Sequence, residues 1–199
     1  MVGDWTQPEF PYLKDCEWIG TEKVDGTNIR VGWHRNELAS VGGKTDNAKI
    51  PESLLNRLRE LFPPGKIDAA VTETDELTLY GEGYGARIQT GGNYKSDGVD
   101  FVLFDVLVGE WWLQRKDVED VAAAIGLRVV PIVYHGGLQG AIDTVRAGFK
   151  SEWGFFVAEG MVLRPAVELQ TRAGRRVITK IKSKDFARIA SEDQKESQK

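Results

Sequence analysis

The chain has 199 residues, 41% of them hydrophobic, which is enough for one well-filled core and long enough for two. Charged residues make up 28% and the net charge is −4, so bulk binding of nucleic acid is excluded and any phosphate recognition must come from a local cluster. Cys16 is the only cysteine, which excludes an intrachain disulfide and a cysteine-based zinc site.

No apolar run reaches the roughly 18 residues needed to span a bilayer. The opening MVGDWTQPEF lacks the basic and apolar regions of a signal peptide, so a cytoplasmic chain without membrane contact is expected. The first strand-like run covers 17–24 and the second 28–33, separated by Asp25-Gly26, a strong hairpin signal. PESLLNRLRELF at 51–62 sets Leu54, Leu55, Leu58, Leu61 and Phe62 on one helical face. Pro51 suits its first turn, and Pro63-Pro64-Gly65 stops it. Strands are expected at 77–82 and 101–108. A helix at 116–126 follows, with Val118, Val121, Ala122 and Ile125 together and Gly126 closing it. A strand at 127–133, a helical pattern at 138–149 and strands at 160–164 and 176–181 complete the chain. The polar segment SEDQKESQK, 191–199, is expected to fray. Strands outnumber helices without strict alternation, which predicts an α+β fold with mostly antiparallel sheets flanked by helices. No linker divides the sequence, so 1–190 is expected to form one domain.

Lys23 in TEKVDGTNIR is either a solvent-facing lysine in a hairpin or a nucleophile presented by the turn. A nucleophilic lysine must be neutral, and from a reference pKa near 10.4 only about one in 2,500 is neutral at pH 7. Burial or neighbouring cations would change that balance, so the second reading needs partners from elsewhere in the chain. TRAGRRVITKIKSK supplies candidates, since six of its fourteen residues are Lys or Arg. Lys180 and Lys182 alternate along a strand and so share a face, with Ile178 and Ile181 beside them suggesting a strand partly inside the fold. They either guard a sheet edge or grip an anion such as a nucleotide phosphate.

Asp105 interrupts the apolar run VDFVLFDVLV, where a carboxylate marks a strand end or bulge, or holds a partner or metal. Phe104 beside it is either core or a platform for a purine. Glu159 opens another apolar strand in AEGMVLRP and, with Asp105, could hold Mg²⁺ through oxygen ligands. In LYGEGYGARIQTGG the G-x-G-x-x-A spacing is not followed by an amphipathic helix, so it is no dinucleotide fingerprint. Glu82 there could instead accept hydrogen bonds from a ribose. His34 and His135 lack acidic or cysteine company in the sequence, which argues against Ser-His-Asp or Cys-His catalysis. Trp111-Trp112 reads as core or rim.

Taken in order, KVDGTN, LYGEGYG, FVLFDV, EGMVLRP and KIKSKDF resemble motifs I, III, IIIa, IV and V of the covalent nucleotidyltransferases, the superfamily of ATP-dependent ligases and mRNA-capping enzymes. Asn28, in K-x-D-G-x-N, resembles nick-sealing RNA ligases of phage and bacterial type, whereas DNA ligases and capping enzymes favour Arg there. The resemblance implies the ligase and capping-enzyme fold, with a nucleotide cleft between its sheets. It implies an ATP-dependent RNA ligase that uses Mg²⁺ or Mn²⁺ and forms a lysyl-AMP on Lys23. Asp25 would support the nucleophile, and Lys180 and Lys182 would grip the α-phosphate. Glu22, Gly26, Asn28, Lys44, Glu82 and Phe104 would line the nucleotide site, with Lys44 standing where motif Ia commonly has arginine. Glu159, together with Asp105, would support the metal. RNA ends, in a nicked duplex, broken RNA or an RNA–DNA hybrid, are the implied partners. Neither a C-terminal accessory domain nor an OB domain is expected, so an accessory protein is a candidate to replace one. A DNA ligase core, a GTP-dependent capping domain and a non-catalytic RNA-end-binding protein are the alternatives.

Overall fold

A computed structural model describes residues 7–37, 39–45 and 47–186. The polar segment 191–199 lies outside the described residues. In chain order the described elements are α1 (Phe10–Leu13), β1 (Trp18–Glu22), β2 (Thr27–His34), β3 (Ser40–Gly43), α2 (Glu52–Leu61), α3 (Lys66–Ala70), β4 (Glu76–Gly85), β5 (Val99–Val108), β6 (Trp111–Trp112), α4 (Arg115–Ile125), β7 (Arg128–Val129), β8 (Ile132–Gly136), α5 (Leu138–Ala147), β9 (Gly160–Pro165) and β10 (Thr179–Lys182). The fold is α+β, and its strand pairs are antiparallel apart from the parallel pair β5–β7. Among the described residues no helix is long and apolar enough to cross a membrane. The chain forms two compact units, Met1–Lys23 with Pro131–Lys199, and Val24–Val130.

The first unit carries a four-stranded sheet in the order β10-β9-β1-β8. Trp18, Met161 and Leu163 are buried against Leu138, Ala141 and Val145, which α5 presents at the i, i+3, i+7 spacing of one helical face. Phe10 packs edge-to-face on Trp18 at 6.0 Å, and the Trp18 indole N–H donates to the Leu13 carbonyl at 2.7 Å. Glycine is required at position 160, because a Cβ there would lie 2.0 Å from the Ile181 carbonyl oxygen and φ is +156°. That close approach lets β9 run against β10, pairing Gly160 with Lys182.

The second unit carries a sheet in the order β3-β2-β4-β5-β6, with β7 also paired to β5. Ile29, Val31, Leu79, Phe101 and Leu103 point to one face, where Leu54 and Leu58 of α2, Ile67 of α3 and Val118, Ala122 and Ile125 of α4 complete the core. The strand period of two therefore directs Asn28, Arg30, Tyr80 and Glu82 to the other face.

Two strands depart from their sequence patterns. The single strand expected at 127–133 breaks at Pro131, which has no N–H to give a ladder, leaving β7 and β8 in different sheets. The strand expected at 176–181 starts only at Thr179, and Ile178, expected to lie partly inside, is 40% exposed while Ile181 packs on the core.

Candidate active site

In the first unit β1, β9 and β10 bring three of the candidate residues together. The backbone N–H of Lys23 donates to the Gly160 carbonyl at 2.9 Å, which fixes the end of β1 beside the start of β9. Glu159 immediately precedes Gly160, and its own carbonyl accepts from Ser183 at 2.9 Å. Lys23 Nζ then lies 2.5 Å from Glu159 Oε2, and Lys182 Nζ lies 3.1 Å from Glu159 Oε1. All three side chains are mostly buried, with 18%, 12% and 21% of their surface exposed for Lys23, Glu159 and Lys182. The Lys182 contact is an ion pair whose angles make no hydrogen bond, so Oε1 of Glu159 is a buried carboxylate oxygen without one. One carboxylate thus bridges two ammonium groups.

Glu22, next to the candidate nucleophile, is only 1% exposed. Its Oε1 accepts from the Ser151 hydroxyl at 2.6 Å and its Oε2 from the Glu152 N–H at 2.9 Å. Burial pushes the Glu22 carboxyl above its ordinary value of 4.5, against the opposing pull of those two hydrogen bonds. Lys180 shares the face of Lys182 but is exposed, and it lines a groove of about 510 Å³ with Arg175, Arg176, Thr171 and Phe10. The alternation expected for the two lysines is present. The ion pair with Glu159 belongs to Lys182.

In the second unit, the turn after Lys23 is locked onto β4. Gly26 leaves no room for a side chain, because a Cβ would lie 2.3 Å from the Gly83 carbonyl oxygen and 2.9 Å from Glu82 Cγ. Asp25 Oδ2 accepts from both the hydroxyl and the backbone N–H of Thr90. Asn28 on β2 pairs directly with Glu82 on β4, so both half-buried side chains leave the sheet on the same face. The register between β4 and β5 slips by one residue at Phe104, so Phe104 and Asp105 together oppose Tyr80. The bulge reading of Asp105 is therefore met. Asp105 is 5% exposed and Phe104 half-buried. Lys44 is exposed in the bend after β3.

Several neighbours were not legible from sequence. Arg30 stands two positions from Asn28 on the same face and donates to the Gly43 carbonyl at 2.8 Å, beside Lys44, so the period of two was its available signal. Ser151 and Thr90 meet Glu22 and Asp25 across long stretches of chain, and no local pattern marks them. Each histidine does have a carboxylate neighbour, Glu76 at 3.6 Å from His34 and Glu17 at 3.7 Å from His135, although all four side chains are well exposed. Trp111 is 79% exposed, so the rim reading holds for it and the core reading does not.

A hard cation fits this donor set in one way. Among the described residues no group of three or more His, Cys, Asp or Glu could hold a metal. The oxygen of Glu159 that lacks a hydrogen bond is a suitable single protein ligand, and Mg²⁺ or Mn²⁺ bound this way would complete its shell with phosphate oxygens and water.

An antiparallel α+β scaffold that sets a lysine before a locked Asp-Gly turn, with a glutamate and a second lysine at its ammonium group, has the nucleotidyltransferase fold shared with RNA ligase structures. The chain belongs to the RNA ligase family, whose model matches residues 16–182. Among solved structures, a lysine-to-alanine mutant of Naegleria gruberi RNA ligase with ATP and Mn matches with a TM-score of 0.67 and 19% identity, over 90% of this chain and 52% of that one. An apo aspartate-to-alanine mutant of the same ligase gives a TM-score of 0.68 and 18% identity, over 93% and 54%. A further mutant of it, with AMP and Mn, gives 0.67 and 18%, over 90% and 53%. At this identity the likeness shows the fold, and the chain spans about half the length of these ligases. No curated protein matches the chain in sequence.

Proposed function

We propose that the chain performs the nucleotidyl-transfer chemistry of an ATP-dependent RNA ligase, with Lys23 as the nucleophile. The observation that carries this reading is the Lys23–Glu159–Lys182 cluster, set by three neighbouring strands in a chain of the RNA ligase family. The Naegleria structures with ATP or AMP and Mn support ATP and a divalent cation as the substrate set.

In the first step the neutral amine of Lys23 attacks the α-phosphorus of ATP. The Lys23 ammonium first loses a proton to solvent; an N–P bond then forms, the bond to the β-phosphate oxygen breaks, pyrophosphate leaves and the nitrogen gives up a second proton to solvent. In the second, an oxygen of an RNA 5′-phosphate attacks the phosphorus of lysyl-AMP, the N–P bond breaks and the amine is regenerated. In the third, an RNA 3′-hydroxyl attacks the activated 5′-phosphate, forming the phosphodiester and releasing AMP. RNA ends are the partner that family membership supports.

Charge placement dominates catalysis of this kind, because the reacting phosphate concentrates negative charge that fixed cations must offset. Lys182 supplies one such cation and Lys180 a second on the same face. Asp25, held by Thr90, orients the turn that follows Lys23. Asn28 and Glu82 present polar groups for the nucleoside from one sheet face, with Glu82 on the ribose, Phe104 on the base and Gly26 keeping the turn close to β4. Lys44 and Glu22 are second-line candidates, the former as a surface cation for phosphates and the latter as a buried brace beside Lys23. Glu159 would hold Mg²⁺ or Mn²⁺. When bound, the metal supplies charge neutralisation at the phosphates. Glu159 also keeps the two lysine side chains in place.

The deciding experiment incubates the protein with Mg²⁺ and α-labelled ATP or GTP and resolves the products by denaturing electrophoresis and intact mass. A single AMP adduct from ATP, absent in Lys23→Ala, is expected. A label from GTP alone would move the protein to capping chemistry. No label from either nucleotide with folded protein would overturn the enzymatic reading.

A further inference from the structure

The segment just before Glu159 carries exposed aromatic surface that the nucleotide chemistry does not use. Phe155 is 99% exposed and Val157 64%, within KSEWGFFVAEG. The segment is nonetheless closed on itself by an isolated β-bridge and backbone hydrogen bonds. Lys150 bridges Val157 antiparallel, the Ser151 N–H donates to the Phe156 carbonyl at 2.9 Å, and the Ala158 N–H donates to Phe149 at 2.9 Å. This makes a β-hairpin with Glu152, Trp153, Gly154 and Phe155 at its tip.

Two features tie the hairpin to the candidate active site within the same unit. Buried Glu22, the residue before Lys23, accepts from Ser151 Oγ and from the Glu152 N–H, so the hairpin base is fixed to the strand that carries the nucleophile. Ser151 Oγ also accepts from the Trp153 N–H at 3.0 Å, which sets the tip. Glu159 lies four residues beyond Phe155, so their α-carbons are at most about 14 Å apart. That reach spans only a few nucleotides of an unpaired strand.

The chemistry of the tip selects among possible occupants. Here Lys150 Nζ sits over one face of the Phe155 ring, 4.2 Å from its centroid, so a base would stack on the opposite face with a cation close by. An aromatic face paired with a cation is the combination that binds unpaired nucleic acid, the base stacking on the ring while the cation meets the backbone. An apolar protein partner would make no use of the ammonium.

We propose that the hairpin 150–157 is a base-stacking platform, and that Phe155 and Lys150 bind an unpaired RNA base within a few nucleotides of the end being joined. This rests on the RNA ligase reading and narrows its substrate to ends with at least one base free to stack. It gives Glu22 a positioning role, as the brace that couples the platform to the strand of the nucleophile.

The test measures fluorescence anisotropy of a 5′-phosphorylated, labelled single-stranded RNA and of the same strand fully paired in a nicked duplex. The proteins are wild type, Phe155→Ala, Phe155→Leu and Phe155→Trp. Losing one base–aromatic stack should weaken single-strand binding by about 5- to 150-fold in Phe155→Ala, from the usual range of 1–3 kcal/mol. Phe155→Trp should bind like wild type, Phe155→Leu should resemble the alanine variant, and the paired substrate should respond less. Thermal melting of each variant establishes that it is folded. Unchanged single-strand affinity in folded Phe155→Ala overturns the proposal. Full recovery by Phe155→Leu also overturns it, pointing to apolar docking, as does a Phe155-dependent monomer–dimer shift in sedimentation, which would assign the tip to a second copy. Lysyl-AMP formation by the wild type is measured alongside. Its absence would sink the ligase reading, whereas the anisotropy series alone decides the hairpin.

Discussion

Lys23 Nζ and Glu159 Oε2 meet at 2.5 Å, although 136 residues separate them, and Glu159 turns its second oxygen towards Lys182. The carboxylate has two functions that a neutral side chain could perform only in part. It holds the Lys23 side chain in a defined place, and it keeps two ammonium groups from repelling each other. Glu159→Gln retains the size and an acceptor for Lys23 but removes the charge. Lysyl-AMP formation should fall about 100-fold, the scale of removing one charge-stabilising group from an active site. The initial rate of label transfer from ATP checks this. A rate equal to wild type would mean that the ion pair is a resting contact with no part in phosphoryl transfer.

β9 and β10 pair at Gly160 without room for a side chain. A methyl group there would lie 2.0 Å from the Ile181 carbonyl, so Gly160→Ala must separate the strands that carry Glu159 and Lys182. Overpacking of this kind costs about 1–3 kcal/mol. For a chain of this size that corresponds to a fall in Tm of roughly 2–12 °C, measurable by scanning calorimetry. The same variant should lose lysyl-AMP formation at temperatures well below its melting point. A variant that melts like wild type would show that the sheet opens here without cost.

These two residues also mark how far the sequence could be read. Gly160 and Glu159 stand in an apolar strand pattern, and Lys180 and Lys182 alternate visibly, so the strands and their faces were accessible to a period of two. The helices at Leu54 and Leu58 and at Val118 and Ala122 were equally plain, because their apolar spacing coincides with the buried face. The sequence could not show which lysine meets Glu159, since that depends on strand register. The pairing of Gly160 with Lys182 leaves Lys180 opposite Val162. Pro131 was present in the sequence as a break, but the apolar residues on either side of it read as one strand. The slip at Phe104 was likewise hidden, because a bulge adds a residue without changing composition. The partners of Glu22 and Asp25 are long-range hydrogen bonds to a serine and a threonine, residue types too common to single out.

Thr90 supplies a prediction of its own. Its hydroxyl and its N–H both donate to Asp25 Oδ2, bracing the turn that follows Lys23. Thr90→Val removes one of the two donors while preserving shape, and a hydrogen bond to a charged group contributes about 1.5–3 kcal/mol when it is not shared. With the N–H retained, the loss should be smaller, about 3- to 10-fold in lysyl-AMP formation for about 1 kcal/mol. Thr90→Ser should restore it. If valine and wild type react equally fast, the backbone N–H alone is sufficient to hold Asp25.

Glu22 predicts a pH dependence of stability whose direction follows from its burial. Desolvation raises its carboxyl above the ordinary 4.5, with the Ser151 and Glu152 hydrogen bonds opposing. Between 4.5 and that raised value, the native state holds a proton that the unfolded chain has released. Unfolding in this window therefore loses a proton, and stability falls as pH rises. The contribution is complete below 4.5 and is lost once pH passes the native value. Glu22→Gln cannot titrate, so the wild type should gain stability relative to this variant as pH is lowered from neutrality towards 4.5. Urea denaturation of both proteins across that range checks the sign. A difference that instead grows as pH rises would mean that the two hydrogen bonds outweigh burial, leaving Glu22 anchored as a carboxylate throughout.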